Sequence, residues 1–384
     1  MSHRRGQAFF TAVVIVGLLA GCGSRSSSSS SSSSAGASGG TGLSLAYANA
    51  IDSAPLFAEI KRGIVDASST AGMKLKTYDN NLDGATALQN ANLMVQARPD
   101  VALEYNAVEG AGKSIGATFK RAKIPCIAVN VPTPGCAWFN LINRDLGRDT
   151  AKAVAQLAKK KGWTGSNTTV VLVQSATAGV EVNDSVRYFY TTIQDLLPGA
   201  TRTTPDGITA NTTRIGPSGL QVDGKGSLDG SFAAVRNALQ TIPTSRNLIV
   251  YSINDDSTIG ASRAVTATGR DGHVLIAGLG GGAQGLQQLR TNPNWVAEGD
   301  IFSPSWGQYL TAMAVAVKQG VKLPDITTSP QIVLTKDTVS RYYHADQTRP
   351  YQLPPLQPVT NGRGNDYLAA TQVLQKFHNV EKLK

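Results

Sequence analysis

Residues 43–79 read LSLAYANAIDSAPLFAEIKRGIVDASSTAGMKLKTYD. Leu43 to Asn49 has the pattern of a strand. Pro55 to Ala71 reads as a helix, with apolar residues at Phe57, Ile60, Ile64 and Val65 at helical spacing. Lys74 to Asp79 is a second strand. The alternation continues with a helix over Asp83–Ala97, a strand over Val101–Tyr105, a helix over Glu109–Ala122 and a strand over Pro125–Asn130. Repeated strand–helix units predict a parallel sheet covered by helices on both faces.

A second set follows. Helices are expected over Arg144–Lys161, Asn183–Leu197, Ser231–Thr241, Ser257–Thr268, Ala283–Thr291 and Trp306–Gln319. Strands are expected over Thr169–Gln174, Asn247–Ile253, His273–Leu279, Trp295–Phe302 and Gln331–Thr335. Thr201–Asp229, rich in Gly, Thr and Pro, reads as a surface excursion with one strand. The tail from Tyr351 is Pro-rich, and Asp366–Phe377 looks helical. The chain has the look of two similar α/β halves.

At 384 residues, 41% hydrophobic and 16% charged, the chain suits two domains with real cores. Its formal charge is +10, and removing Arg4 and Arg5 with a leader leaves about +8. The basic residues are scattered. The densest run, Lys159–Lys161, falls at an expected helix C-terminus, where cations suit the dipole. The charge therefore reads as a solvated surface and not as a nucleic-acid footprint.

The N-terminus has the layout of an export signal: basic His3, Arg4 and Arg5, then an apolar run from Phe9 to Ala20 too short to span a bilayer comfortably. Leu19-Ala20-Gly21-Cys22 resembles the lipobox of bacterial lipoproteins. The resemblance implies a signal over 1–21, acylation at Cys22 and an extracytoplasmic, lipid-anchored chain. Ser26–Ser34 and the Ala/Gly/Ser residues to Gly42 form a tether, 22–42. Cys126 and Cys136 flank the turn Val131-Pro-Thr-Pro-Gly135, which permits a bridge in an oxidising compartment; two buried thiols are the alternative. No histidine lies near them, so no metal site is expected.

Further residues carry a family likeness. They are Pro55-Leu56-Phe57 with Ile60-Lys-Arg-Gly63, Ala122-Lys-Ile-Pro125 before a strand ending at Asn130, Asn143-Arg-Asp-Leu-Gly147, and Ser252-Ile-Asn-Asp-Asp256 with Ile259-Gly-Ala261. In this order the chain resembles, over about 43–335, the ribose-binding-protein class of type I periplasmic binding proteins, the solute receptors of sugar ABC importers. The resemblance implies an α/β fold of two doubly wound parallel-sheet lobes joined by a three-strand hinge, with crossings near Leu141, Phe302 and Ser329. Lobe 1 is then 43–141 plus 303–328, lobe 2 is 142–302 plus 329–345, and 346–384 is a C-terminal extension.

Ligand contacts are expected between the lobes, at the carboxyl ends of strands. The resemblance places Phe57 there as a stacking surface and Asn254 as an amide for vicinal hydroxyls, with Asn130 in the place of a family carboxylate. Asn183 stands where the family has an arginine, with Arg187 one turn on. Ser53, Glu104, Tyr105 and Asp300 complete the candidate set. Three departures speak against plain ribose: Gly278-Leu-Gly-Gly281 lacks a family carboxylate, Ile301 replaces a glutamine, and Ser53-Ala54 replaces paired asparagines.

Three enzyme-like patterns are set aside. Ala107–Ser114 approximates a phosphate-binding loop, but Glu109 within it would repel phosphate; it reads as a helix start with Gly112 and Lys113 exposed. Gly280–Gly285 fits G-x-G-x-x-G, and its glycines are expected to let the loop approach a ligand. Gly112–Gly116 fits G-x-S-x-G, but Ser114 would lie inside a helix. His273, His344 and His378 have no spacing that makes one a base or a metal ligand. The resemblance thus implies a monomeric receptor without cofactor or catalysis, handing a sugar or polyol to a membrane permease. A ligand sensor and an extracellular hydrolase are the alternatives.

Overall fold

The computed structural model describes residues 42–345, 347 and 349–380. Cys22, the leader and all of the tether before Gly42 lie outside these residues. Strands β1 (Ser44–Asn49), β2 (Lys74–Asp79), β3 (Val101–Glu104), β4 (Cys126–Val129) and β5 (Ala137–Asn140) alternate with helices α1 (Pro55–Ala71), α2 (Gly84–Ala97) and α3 (Gly112–Ala122). With β12 (Ile326–Thr328) and β14 (Arg363–Gly364) they form a parallel sheet in the order β14-β12-β5-β4-β3-β1-β2.

The second sheet takes β6 (Thr168–Gln174), β7 (Arg214–Ile215), β8 (Gly219–Asp223), β9 (Asn247–Ser252), β10 (Val274–Gly280), β11 (Trp295–Asp300) and β13 (Ile332–Leu334). Its order is β13-β11-β10-β9-β6-β8-β7, parallel except for the edge strands β7 and β13. Helices α4 (Asn143–Lys160), α5 (Gly179–Leu196), α6 (Leu228–Leu239), α7 (Asp255–Ala267) and α8 (Ala283–Thr291) cover it. Five strands of each sheet follow the doubly wound order 2-1-3-4-5, so each has a switch point beside its first strand, at β1/β3 and at β6/β9.

The chain passes between the sheets four times: from β5 into α4, from β11 into α9 (Trp306–Lys318), from β12 into β13, and from β13 back to β14. Central strands are buried on both faces, which explains why Val170–Val173 is an unbroken apolar run and not an alternating one. The second crossing presses on α1. A Cβ on Gly63 would overlap the Pro304 carbonyl, and one on Gly307 would overlap the Gly63 carbonyl. Gly63 therefore sits inside α1, where a side chain would force the crossing away.

The structure corrects several local expectations. Val65 is 42% exposed, because it falls one position off the buried Phe57–Ile60–Ile64 stripe. Residues 201–229 hold a two-strand antiparallel unit, β7 and β8, not one strand. Strands β5, β12 and β14 were missed, being only two to four residues long. Residues 366–377 form two 3-10 turns, Asp366–Thr371 and Val373–Lys376, and not an α-helix. Those turns bury Leu368, Val373 and Leu374 in the same core as α1 and α9, and β14 extends the first sheet. The tail is thus an integral layer of that lobe.

Cys126 and Cys136 are joined in a disulfide. The turn they close lies on α3: Cβ atoms on Gly112 and Gly116 would press on the Pro132 and Pro134 carbonyls. Gly112 is therefore buried, contrary to expectation, while Lys113 is exposed. The glycines of the loop-like motif serve helix packing. The bridge closes a loop with a sequence separation of 10, for which chain entropy gives slightly under about 3 kcal/mol. The double variant Cys126→Ser/Cys136→Ser is expected to lose about 2–3 kcal/mol in urea unfolding, with its folded far-UV dichroism unchanged.

Candidate functional site

Between the two carboxyl edges lies a cleft of about 430 Å³. Residues just past β3, β4, β6, β9 and β11 contribute Tyr105, Asn130, Ser175, Ile253 with Asn254, and Ile301. Helix α1 adds Leu56, Phe57 and Ile60, and the first crossing adds Leu141. Both sheets thus present their switch-point ends to one space.

Four candidate residues meet there: Phe57, Tyr105, Asn130 and Asn254. Phe57 packs edge-on against Tyr105 with ring centroids 5.4 Å apart, and Tyr105 lies 6.3 Å from Trp306. Asn130 holds a left-handed φ of 63°, a conformation asparagine tolerates. Its Nδ2 donates to the Tyr105 hydroxyl at 2.7 Å, and its Oδ1 has no donor within the protein. That leaves the Tyr105 proton and an enclosed Asn130 acceptor without partners among the described residues. Asn254 caps α7: its Oδ1 accepts from Ser257 N at 2.8 Å, and its Nδ2 donates to the Gly226 carbonyl at 3.0 Å. One amide hydrogen of Asn254 remains for a guest.

The other five candidates do not line the cleft. Ser53 is exposed on the loop after β1. Glu104 is fully buried and accepts from Asn80 Nδ2 at 2.8 Å. Asn183 spends its amide on the backbone, donating to Ser175 and Gly179 carbonyls at 2.7 Å and accepting from Ser175 N. Arg187 turns back to pair with Asp184. Asp300 accepts from Phe302 N at 2.7 Å and from the Tyr343 hydroxyl at 2.6 Å. For the last four, a nearer partner within the chain takes the group away from the cleft.

Asn143, Ser175, Thr177 and Ser227 were not anticipated. Ser175 was within reach of the sequence, as the first residue beyond the expected strand Thr169–Gln174. Ser227 was not, because the segment before it has no readable period.

The glycine loop after β10 also departs from expectation. Gly281 N donates to Glu298 at 3.2 Å and Gly282 N to Asp255 at 2.8 Å. Cβ atoms on Gly281 and Gly285 would overlap the carboxylates of Asp300 and Asp255. The loop makes room for buried acids of its own lobe, and the amides that a dinucleotide would need are occupied. Among the described residues no group of three His, Cys, Asp or Glu is arranged to hold a metal ion.

The lobes also touch away from the crossings. Glu59 of α1 accepts from Ala283 N at 3.0 Å, at the start of α8. The Glu109 carboxylate occupies the space where a Cβ on Gly179 would stand, at the start of α5. At the hinge, Ile142 N donates to Gln331 Oε1 at 2.6 Å. Two acids of one lobe therefore face helix N-termini of the other, where negative charge is favoured.

A model of the periplasmic binding protein domain matches residues 45–322. The chain belongs to the periplasmic binding protein family. Among solved structures, this periplasmic binding protein is similar to an ABC transporter solute-binding protein from Mycobacterium smegmatis with bound glycerol: 15% identity, 80% of this chain and 99% of that one, TM-score 0.66. It is similar to another from Actinobacillus succinogenes with bound D-allose, at 15% identity over 78% and 100% of the two chains, TM-score 0.62. A third, from Bacillus halodurans with bound myo-inositol, has 15% identity over 81% and 100%, TM-score 0.62. A search of curated protein sequences gave no significant match. At these identities the structures establish a shared fold, and the cleft of this binding protein stands where that fold joins its lobes.

Burial raises the acids around the cleft. The Glu104 carboxyl is pushed up to about 8 and that of Asp256 to about 6. Asp255 and Asp300 are raised by burial first and by the Glu298 charge second. An acid with a raised folded-state pKa holds its proton more tightly when folded. It contributes stability below its unfolded value, which is lost as pH rises through the folded one. For Glu104 that window runs from 4.5 to about 8. Unfolding free energy is therefore expected to fall between pH 5.5 and 7.5, by at least about 1 kcal/mol. Glu104→Gln should flatten the slope; urea titrations at several pH values read both.

Proposed function

We propose that the protein is the extracytoplasmic receptor of an ABC importer. It binds a monosaccharide or similar small neutral polyol between its lobes and presents the closed form to a membrane permease. The observation that carries this reading is the cleft itself, framed by the switch-point ends of two 2-1-3-4-5 sheets, with Leu141 and Ile301 of the first two chain crossings in its wall. Membership of a family of binding proteins, and the glycerol, D-allose and myo-inositol held by chains of the same fold, support a neutral hydroxylated guest. Closure about the crossings is the expected working motion.

In this reading the lobes are 43–141 plus 303–328 and 142–302 plus 329–345, with the C-terminal tail packed on the first. The chain acts as a monomer, without catalysis or cofactor, anchored through an acylated Cys22. Of the candidates, Phe57, Tyr105, Asn130 and Asn254 hold the guest. Glu104, Asn183, Arg187 and Asp300 shape the ends of the strands that carry them, and Ser53 stays in solvent.

The test combines calorimetry with X-ray scattering on the mature chain, using D-allose, myo-inositol, glycerol and common pentoses and hexoses. Heat of binding with a smaller radius of gyration supports the reading; no heat and no contraction with any of them overturns it. Asn130→Gly keeps the left-handed backbone and removes the amide, so it is expected to weaken a bound polyol about tenfold with the unliganded melting temperature nearly unchanged. Asn254→Ala is a poorer probe, since removing the α7 cap alone costs about 1 kcal/mol. Glu59→Ala should loosen closure and weaken binding about two- to fivefold through loss of the charge at α8.

A further inference from the structure

The walls of the cleft are unlike a surface made for a bare polyol. At the hinge end they consist of Leu141 and Ile301 from two crossings, with Leu56, Phe57 and Ile60 from α1 opposite Leu279 at the end of β10. All six are buried, none above 6% exposure, so this is continuous core surface opened to a ligand. Apolar atoms make up most of the accessible wall.

The polar groups are few and of one kind. Asn130 and the Tyr105 hydroxyl sit together on one lobe, Asn143 stands just past the first crossing, and Ser175 and Asn254 flank Gly226 on the other lobe with Thr177 and Ser227 near them. These are neutral groups, able to serve hydroxyls along one edge of a guest. The only charged lining residues, Asp223 and Lys225, are exposed at the rim. The acids buried nearby, Glu104, Asp255, Glu298 and Asp300, are bound to amides of the chain and face away. A charged guest would thus be desolvated with nothing to compensate it. A fully hydroxylated guest would find Asn143 beside Leu141 but would leave its other inner hydroxyls against Leu141, Ile301 and Leu279 without partners.

Building on the receptor reading above, we infer that the physiological ligand is a neutral glycoside-like molecule with a hydroxylated edge joined to an apolar body. The edge meets Tyr105, Asn130, Ser175 and Asn254, and the body fills the hinge end against Leu141, Leu279 and Ile301. The volume of about 430 Å³ lies in the range of ordinary small-molecule sites, roughly 300–1,000 Å³. Desolvation of the hinge wall supplies affinity, and the edge supplies orientation.

The test is calorimetric titration of the mature chain with D-glucose, D-galactose and myo-inositol beside phenyl β-D-glucopyranoside and phenyl β-D-galactopyranoside. At least one phenyl glycoside is expected to bind tenfold or more tighter than its parent sugar. In Ile301→Gln, which puts an amide on the hinge wall, that advantage should shrink to threefold or less; a melting curve establishes that the variant is folded. Parent sugars that bind as tightly as their phenyl glycosides overturn the apolar body and leave the receptor reading intact. An unchanged phenyl advantage in folded Ile301→Gln overturns the hinge-end placement. Absence of heat with all five compounds overturns this inference, and the receptor reading is then judged on its own wider panel and on scattering.

Discussion

The carboxyl ends of two parallel sheets open onto one space. Every polar group at those ends must find a partner in the chain or in a guest, since an unpartnered buried group costs about 1–3 kcal/mol. Most of the organisation around the cleft follows from how that requirement is met. Glu104 takes Asn80, Asp255 takes Gly282 N, Glu298 takes Gly281 N and Trp295 Nε1, and Asp300 takes Phe302 N and Tyr343. Asn183 closes the turn from β6 into α5. Glu298 and Asp300 are thus satisfied at both oxygens, whereas Glu104 Oε2, Asp255 Oδ1 and Asn130 Oδ1 are buried without a partner among the described residues.

The same strand ends are tied mechanically to the crossings. Tyr105, whose hydroxyl meets Asn130, lies against Trp306, the first residue of α9. Trp306 Nε1 donates to the Ile301 carbonyl at 2.7 Å, and its ring meets Phe139 of β5 edge-on at 5.4 Å. One buried indole thus touches the first sheet, the second crossing and a residue of the cleft wall. Close packing leaves little slack in such a contact. A guest that shifts Tyr105 presses on the hinge directly, and Gly63 lets α1 follow because no side chain separates it from Pro304.

Much of this architecture was readable in the sequence, and the reasons are local. Buried parallel strands such as Val170–Val173 announce themselves by an apolar run, and helices such as Trp306–Lys318 by length and spacing. Strands of two to four residues do not, because β5, β12 and β14 owe their existence to neighbours already in place. Of the site, Phe57, Tyr105, Asn130 and Asn254 were legible as residues at or just beyond strand ends or in the first turn of a helix. Asn183, Arg187 and Asp300 looked equivalent by the same criterion. What separated them was competition from a partner nearby in space, Ser175, Asp184 or Tyr343, which no spacing rule weighs. Ile301 is the reverse case: its apolar side chain was plain from the sequence, and its position on the hinge wall gives that departure a use.

The two glycine motifs carry the same lesson to the chemistry. A glycine-rich turn after a strand binds phosphate when its amides are free and its approach is open. Here Gly112 and Gly116 are filled by the disulfide-closed turn, and Gly281 and Gly285 by Asp300 and Asp255. A carboxyl seated on the amides does what a phosphate would do, so the loop needs no anionic ligand. The pattern of glycines records only that something comes close to the backbone. Whether that neighbour is a guest or the chain's own acid decides between a nucleotide site and a rigid strand end, and in this protein it is the acid.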